Sequence, residues 1–349
     1  MLRHELVEIA DLAGRLLSSG TAGLVATLVA SRGSSYRSLG SVMVGTPGIH
    51  AGGISGGCLE PFVVREGERA TREVATTLMR FRTGPETDGD APALGCGGEI
   101  EILVERLQPG HRDWLATLRE AHEKDTASCA VYEISGTTSA PLVRRSIRAW
   151  PDRPSASNQF APRVALHYIA PLTRLVIIGA GDDAQPLCSF AHSLGWHVSV
   201  IDRRARLAIP SRFPEADTVA SGDWPELIEQ TRFTDRTAVI LMTHSLQDDA
   251  HALSHLLSRP AVYVGALGPA HRKQWLFDEV SHLLPAMPHG LWSRVRGPVG
   301  LDLGDRSAPG IAISVIAEVL AVLNARIPKP LVATAGDLMA PPAPRVCHA

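Results

Sequence analysis

Residues 175–187 read LVIIGAGDDAQPL, and this stretch decides the fold of the second half of the chain. Leu175–Ile178 is a short apolar run with strand character, Gly179-Ala-Gly181-Asp-Asp-Ala184 matches the G-x-G-x-x-A pattern, and a helix follows directly. The first glycine permits a tight turn, the second lets backbone approach a phosphate, and small Ala184 lets the helix sit close to the strand. The helix N-terminus turns free N–H groups and the positive end of its dipole toward an anion. The next strand, HVSVID, ends on Asp202, close to the spacing of a ribose-hydroxyl acceptor. Together these features predict a Rossmann-type domain whose loop holds the phosphate part of a nucleotide-like ligand. Asp182 and Asp183 put two negative charges at that loop; they either cap the helix or are offset by cations such as Arg203 and Arg204.

Working outward, strands and helices alternate from Arg174 on: LVIIGAG, a helix to about Leu194, HVSVID, a short helix near Trp224, TAVILMTH, a helix at 247–258, AVYVGALG, and a long helix at about 309–325. Such alternation implies a mainly parallel sheet with right-handed crossovers. Upstream, a helix over 4–18 precedes the strand AGLVATLVA, a polar loop SRGSSYRSLG, a second short strand, the glycine-dense turn AGGISGGCLE and a helix over about 59–79. Strands TLMRFRT, EIEILVERL and SCAVYEIS and a helix over HRDWLATLREAHEKD complete this half. The expected organisation is α/β throughout: an N-terminal α/β domain over 1–143, a linker over 144–165 with three prolines and many arginines, a Rossmann-like domain over 166–327, and a flexible tail over 328–349. Arg144, Arg145 and Arg148 read as solvated linker charge.

Length and composition bound the function. At 349 residues the chain suits two domains, and at 45% hydrophobic and 20% charged it has a globular composition. A formal net charge of -2 and 5% aromatics speak against nucleic acid or an anionic membrane as partner. Glu5, Glu8 and Asp11 interrupt the N-terminal apolar stripe, which therefore reads as an amphipathic helix and not a secretory signal. The five cysteines are widely spaced without a CxxC pair, which suits a reducing cytoplasmic setting.

Candidate chemistry falls in two places. His244 ends TAVILMTH at the carboxyl edge of the sheet, where ligands of open α/β sheets bind. Gly265 and Gly268 form a further close-approach loop beside the same crevice, and Asp248 and Asp249 read as the start of the next helix. Cys58, in GGISGGCLE, stands at a helix start where the dipole favours a thiolate, and Cys96, in LGCGGE, is likewise wrapped in glycines that leave its sulfur uncovered. Neither has nearby His or Cys to complete a zinc site, so no metal site is assigned. The remaining cysteines read as structural or incidental. No GxSxG, HExxH, P-loop or deaminase signature is present, and no catalytic constellation is assigned.

Taken together, GSSYR, GGISGGCLE, LGCGGEIEILVE, LVIIGAGDDAQPL, VSVIDRR, VILMTHSLQDD, AVYVGALG and RGPVGLDLG before IAEVL resemble the xanthine dehydrogenase accessory (XdhC/CoxI) family in order and spacing over most of the chain. The resemblance implies an N-terminal domain with paired Gly/Cys loops, a C-terminal Rossmann domain, and a homodimer. It implies a non-catalytic chaperone that binds molybdenum cofactor, as molybdopterin or its cytosine dinucleotide, and protects it while a cysteine desulfurase adds the terminal sulfido ligand. Delivery to a molybdo-hydroxylase apoenzyme of the xanthine dehydrogenase type follows. Cys58, Cys96, Gly179, Gly181, Asp202, His244, Gly265 and Gly268 would line the binding site. Two places depart from the family pattern: Asp182 stands where members often carry His, and Pro269–Lys273 keeps only part of a small-plus-basic run. The alternatives are an NAD(P)-dependent oxidoreductase using the glycine loop, and a scaffold that docks partners without holding cofactor.

Overall fold

The apolar run AGLVATLVA leads into and forms the first part of β1 (Leu24–Gly33), and its two faces are both covered. Leu24, Ala26 and Leu28 join one core cluster, while Val25 and Val29 join another; this is the two-residue alternation of a strand buried from both sides. The structure is a computed structural model and describes residues 2–33, 35–82, 98–151, 163–284 and 292–330. The chain divides into two compact units, the first running through Pro171 and the second starting at Leu172.

In the first unit β1 is central to a five-stranded antiparallel sheet. Its partners are β2 (Val42–Thr46), β3 (Ile49–Gly52), β4 (Thr76–Arg82) and β5 (Gly98–Arg106), in the order β3-β2-β1-β5-β4. One face carries α1 (Arg3–Ser18) and α3 (Pro109–His122), whose Leu6, Ile9, Leu12, Leu115 and Leu118 recur at helical spacing. The other face carries α2 (Glu60–Glu73) through Val63 and Val64. The helix read over 59–79 thus stops at Glu73, because the β-branched pair Thr76 and Thr77 is drawn into pairing with Glu105 and Val104 of β5.

A second antiparallel sheet, order β7-β6-β8, comprises β6 (Ser128–Thr137), β7 (Ala140–Ala149) and β8 (Arg163–Ile169). The stretch read as a linker, 144–165, is therefore bordered at both ends by strand. Its described arginines belong to the sheet: Arg145 is ion-paired with Glu105, Arg148 lies 3.6 Å from Glu133, and Arg163 is ion-paired with Glu101. Glu101 and Glu105 are buried on β5 and require counter-ions there. Burial pushes the Arg145 guanidinium down to about 10, still charged at neutral pH.

The second unit is a six-stranded, all-parallel sheet in the order β11-β10-β9-β12-β13-β14. Its strands are β9 (Arg174–Ile178), β10 (His197–Asp202), β11 (Thr218–Ser221), β12 (Thr237–Leu241), β13 (Tyr263–Ala266) and β14 (Val295–Arg296). Strand order reverses between β9 and β12, the switch point that opens a crevice at the carboxyl edge. On one face α4 (Ala184–Ser193) and α8 (Ala308–Leu323) cover Leu175, Ile177 and Ile240; on the other, α5 (Trp224–Gln230), α6 (Leu246–Leu256) and α7 (Ala270–Leu283) cover Val176, Ile178 and Val239. Every residue of β9 and β12 is buried, as expected of central parallel strands. Among the described residues no helix is long and apolar enough to cross a membrane.

Two imidazoles of the first unit, His167 buried and His122 half-buried, give it an acid limit. His122 and His167 stack with ring centroids 6.0 Å apart, and Gly40 packs so closely that a Cβ there would lie 2.2 Å from the His167 ring. Burial holds both neutral, pushing His122 down to about 4 and His167 down to about 3. The unfolded chain, with ordinary imidazoles near 6.5, binds the extra protons between those values and 6.5, so stability is complete above pH 6.5 and falls as pH drops through this window. Each imidazole contributes up to about 1.4 kcal/mol per pH unit. Thermal unfolding measured from about pH 7 to about pH 4.5 is expected to show a falling midpoint, with a shallower slope in His167→Phe; a flat wild-type profile would contradict it.

Candidate functional site

The glycine loop of the second unit is built as the strand–turn–helix pattern predicts. Gly179 has φ +117°, and a Cβ there would stand 2.5 Å from the Met242 carbonyl oxygen, so only glycine lets the loop lie against the end of β12. The distal acid holds this loop in place. Asp202, 1% exposed, accepts from Ala180 N (2.7 Å) and from Arg204 N, Nε and Nη2 (2.8, 2.9 and 2.7 Å). Burial pushes its carboxyl upward, but the Arg204 and backbone hydrogen bonds outweigh that and hold it below the ordinary aspartate value. The expected ribose acceptor is thus engaged within the protein.

The two acids of the loop are also engaged, and neither caps the helix. Asp183, at the N-cap position of α4, has helical backbone and no side-chain capping bond. Its Oδ2 lies 3.0 Å from His244 Nε2, and its Oδ1 is tucked 2.6 Å from where a Cβ of Gly181 would be. His244 adopts the left-handed conformation, φ +64°, at the carboxyl end of β12. Asp182 is met by Arg212, which binds it at 2.7 Å while also donating to the carbonyls of Ala180 and Leu207. Arg212 went unremarked in the sequence, whereas Arg203 and Arg204 serve Asp248 and Asp202. Only the short helix at Pro210–Arg212 brings Arg212 back to the loop, and no local spacing announces that.

The far wall of the crevice lies at β13. Gly265 is a packing glycine, since a Cβ there would strike Val299 at 2.5 Å and the Tyr263 ring at 2.7 Å. Gly268, φ +133°, lies under Arg272, which pairs with buried Asp249 at 2.8 Å. Asp249 also accepts from Thr243 N and Oγ1, so it ties the ends of β12 and α7 together as well as standing in the first turn of α6. Gly268 borders a cavity of about 250 Å³ with Leu301, Asp302, Asp305 and Ile311. The adjoining loop at Gly300 is tied to Glu318 of α8, which accepts from Gly300 N (2.7 Å), Arg296 (3.0 Å) and the Tyr263 hydroxyl.

In the first unit Cys58 sits in the loop between β3 and α2 and is exposed, unlike Cys129 and Cys188, which are buried. Burial pushes the Cys188 thiol up to about 12, in keeping with a structural role. Ser55 Oγ organises the Cys58 loop: it accepts from Gly57 N (3.3 Å) and Leu59 N (3.2 Å), lies 3.9 Å from Cys58 Sγ, and donates to Glu60. Glu60, buried, takes the N–H groups of Ile54 and Ser55 at 3.0 and 2.7 Å. Burial raises its carboxyl, yet the Ser55 and backbone bonds win and leave it lowered. Arg37 from the β1–β2 loop reaches Ser55 O (3.4 Å) and Glu5 (2.7 Å), while exposed Tyr36 lies against Gly56. Register puts the end of β1 (Gly33 opposite Gly98), the start of β2 and the end of β3 at one end of the sheet. Cys96 and Cys347 lie outside the described residues.

Fold and site define a two-unit α/β protein in which an antiparallel unit presents a thiol on a glycine loop and a Rossmann unit presents a crevice. Two family models match it: the XdhC Rossmann domain over residues 175–319, and the XdhC and CoxI family over residues 16–82. The chain belongs to the XdhC and CoxI family. A Bacillus subtilis (strain 168) protein, named as a probable subunit of xanthine dehydrogenase, is 28% identical over 320 residues, covering 87% of this chain and 94% of its own length. A protein of Escherichia coli (strain K12) named molybdenum cofactor insertion chaperone PaoD is 29% identical over 313 residues, covering 88% of this chain and 85% of its own. A crystal structure from Bacillus halodurans, described as a xanthine dehydrogenase, has the same fold, with TM-score 0.73 at 24% identity over 94% of this chain and 98% of that one.

The Ser55 hub sets the exposure of the candidate thiol. Ser55→Ala leaves Gly57 N and Leu59 N without their acceptor and is expected to cost about 1–3 kcal/mol. Thermal unfolding should register that loss, and the rate at which a small disulfide reagent labels Cys58 should change as the loop loosens. Wild-type values in both measurements would remove Ser55 from this role.

Proposed function

We propose that the protein is a non-catalytic accessory chaperone. It binds molybdenum cofactor, shields it while a cysteine desulfurase supplies the terminal sulfido ligand, and passes it to a molybdo-hydroxylase apoenzyme of the xanthine dehydrogenase type. A homodimer is the proposed working form. The observation that carries this reading is Cys58: an exposed thiol at a helix start, on a loop whose glycines leave one side of the sulfur open. A soft sulfur donor matches molybdenum or a labile sulfur, and glycine neighbours admit a bulky ligand. The relative named as a molybdenum cofactor insertion chaperone supports the same reading.

The donor set fits the cofactor in part. In the first unit Cys58, with Cys96 as its proposed partner, would hold the molybdenum end, and in the second unit His244 and Gly268 are the proposed binding residues. Gly179, Asp202 and Gly265 support the loops of that second unit by packing and hydrogen bonding. Gly181 does not fit an anion, because Asp183 fills the space beside it. When bound, the cofactor supplies the metal centre its client enzyme uses; this chain's own residues hold, cover and release it.

Protein purified from molybdenum-replete cells is expected to retain pterin, detected by fluorescence after oxidation. Cys58→Ala or Cys96→Ala is expected to weaken retention by at least about tenfold, the scale lost when even an outer partner of a metal ligand is removed. Wild-type pterin content in both variants would sink the role given to these thiols.

A further inference from the structure

We infer that Asp183 is a built-in carboxylate occupant of the glycine loop, and that it makes the Rossmann crevice exclude nucleotide phosphates. In a phosphate-binding loop the second glycine is bare so that an anion can come up to the backbone. Here the bare side of Gly181 faces Asp183 Oδ1, 2.6 Å from where a Cβ would stand. That oxygen is buried and has no hydrogen-bond partner among the described residues, so no donor stands between it and a phosphate brought to Gly181. The other oxygen is held 3.0 Å from His244 Nε2, by a residue whose left-handed backbone turns it toward the loop.

The surrounding cations are already matched to acids of this chain. Arg212 pairs with Asp182, Arg204 with Asp202, Arg203 with Asp248 and Arg272 with Asp249, at 2.7, 2.7, 3.1 and 2.8 Å. A pyrophosphate at the glycine loop would meet four arginines that each have a carboxylate, and would have to separate one of these pairs to use it as a counter-ion. Asp202 compounds the effect, since four internal donors occupy the carboxylate that a ribose would use. The glycine loop is therefore closed to the phosphates of NAD(P) and ADP and to pyrophosphate. This property belongs to the second unit alone, and a phosphate group of the proposed cofactor would have to lie away from Gly179–Ala184.

Titration calorimetry on the full chain with inorganic pyrophosphate, ADP and NAD tests the inference. Wild type is expected to give no saturable heat, while Asp183→Ala is expected to bind pyrophosphate at least about tenfold more tightly, the equivalent of one regained charge-assisted contact. Asp183→Asn, which removes the charge and keeps the shape, serves if the alanine variant does not fold, with the same gain expected. Saturable wild-type binding of NAD or pyrophosphate would overturn the inference, as would folded variants that bind no better than wild type.

Discussion

Asp202 carries its negative charge inside the second unit, and the shape of the crevice depends on what it accepts. A carboxylate at that depth is tolerated only if its lone pairs are filled. They are filled by the glycine loop through Ala180 N and by the next residues of the chain through Arg204. One group thus joins the β9 turn to the end of β10. Gly179 then brings the turn against Met242, and the loop has little freedom left. The first unit uses the same device: Glu60, buried at the start of α2, gathers Ile54 N and Ser55 N and fixes the loop that displays Cys58. In both units an internal acid takes the loop N–H groups that a ligand anion would otherwise use.

The consequence is a division of labour between the two loops. The Rossmann loop keeps the architecture of a nucleotide site, but its charges are balanced from within. The N-terminal loop keeps its thiol exposed. In the proposed carrier role the grip must be releasable, and the exposed thiol of Cys58 beside small residues suits that better than a deep charged cradle. Gly268 and the loop held by Glu318 shape the remaining space in the Rossmann unit, and two arginines beside it, Arg272 and Arg296, are each paired with an acid.

Much of the fold was legible because local rules agree with the tertiary outcome. LVIIGAG followed by a helix, and HVSVID ending in an acid, can hardly be read another way. Less legible were β7 and α7. Arg144, Arg145 and Arg148 look solvated in sequence, yet Arg145 is drawn inward by Glu105, 40 positions away. Of the AHRKQWLFDEVSHL helix, only Leu276 and Val280 are buried, a stripe too thin to announce itself. At the site, the positions of Asp202 and His244 were readable from strand ends. Their partners were not, because Arg204 meets Asp202 and Asp183 meets His244 through turns whose geometry no spacing rule encodes, as Arg212 meets Asp182.

If the acids of the crevice are coupled to its arginines, an incoming phosphate finds each of Arg203, Arg204, Arg212 and Arg272 already engaged. A double-mutant cycle on Asp202→Asn and Arg204→Gln, read by chemical denaturation, measures that coupling for the pair at the heart of the loop. The two losses are expected to be non-additive by about 1–3 kcal/mol, with each single variant destabilised. Additive effects would contradict this coupling and leave Arg204 available to an incoming phosphate.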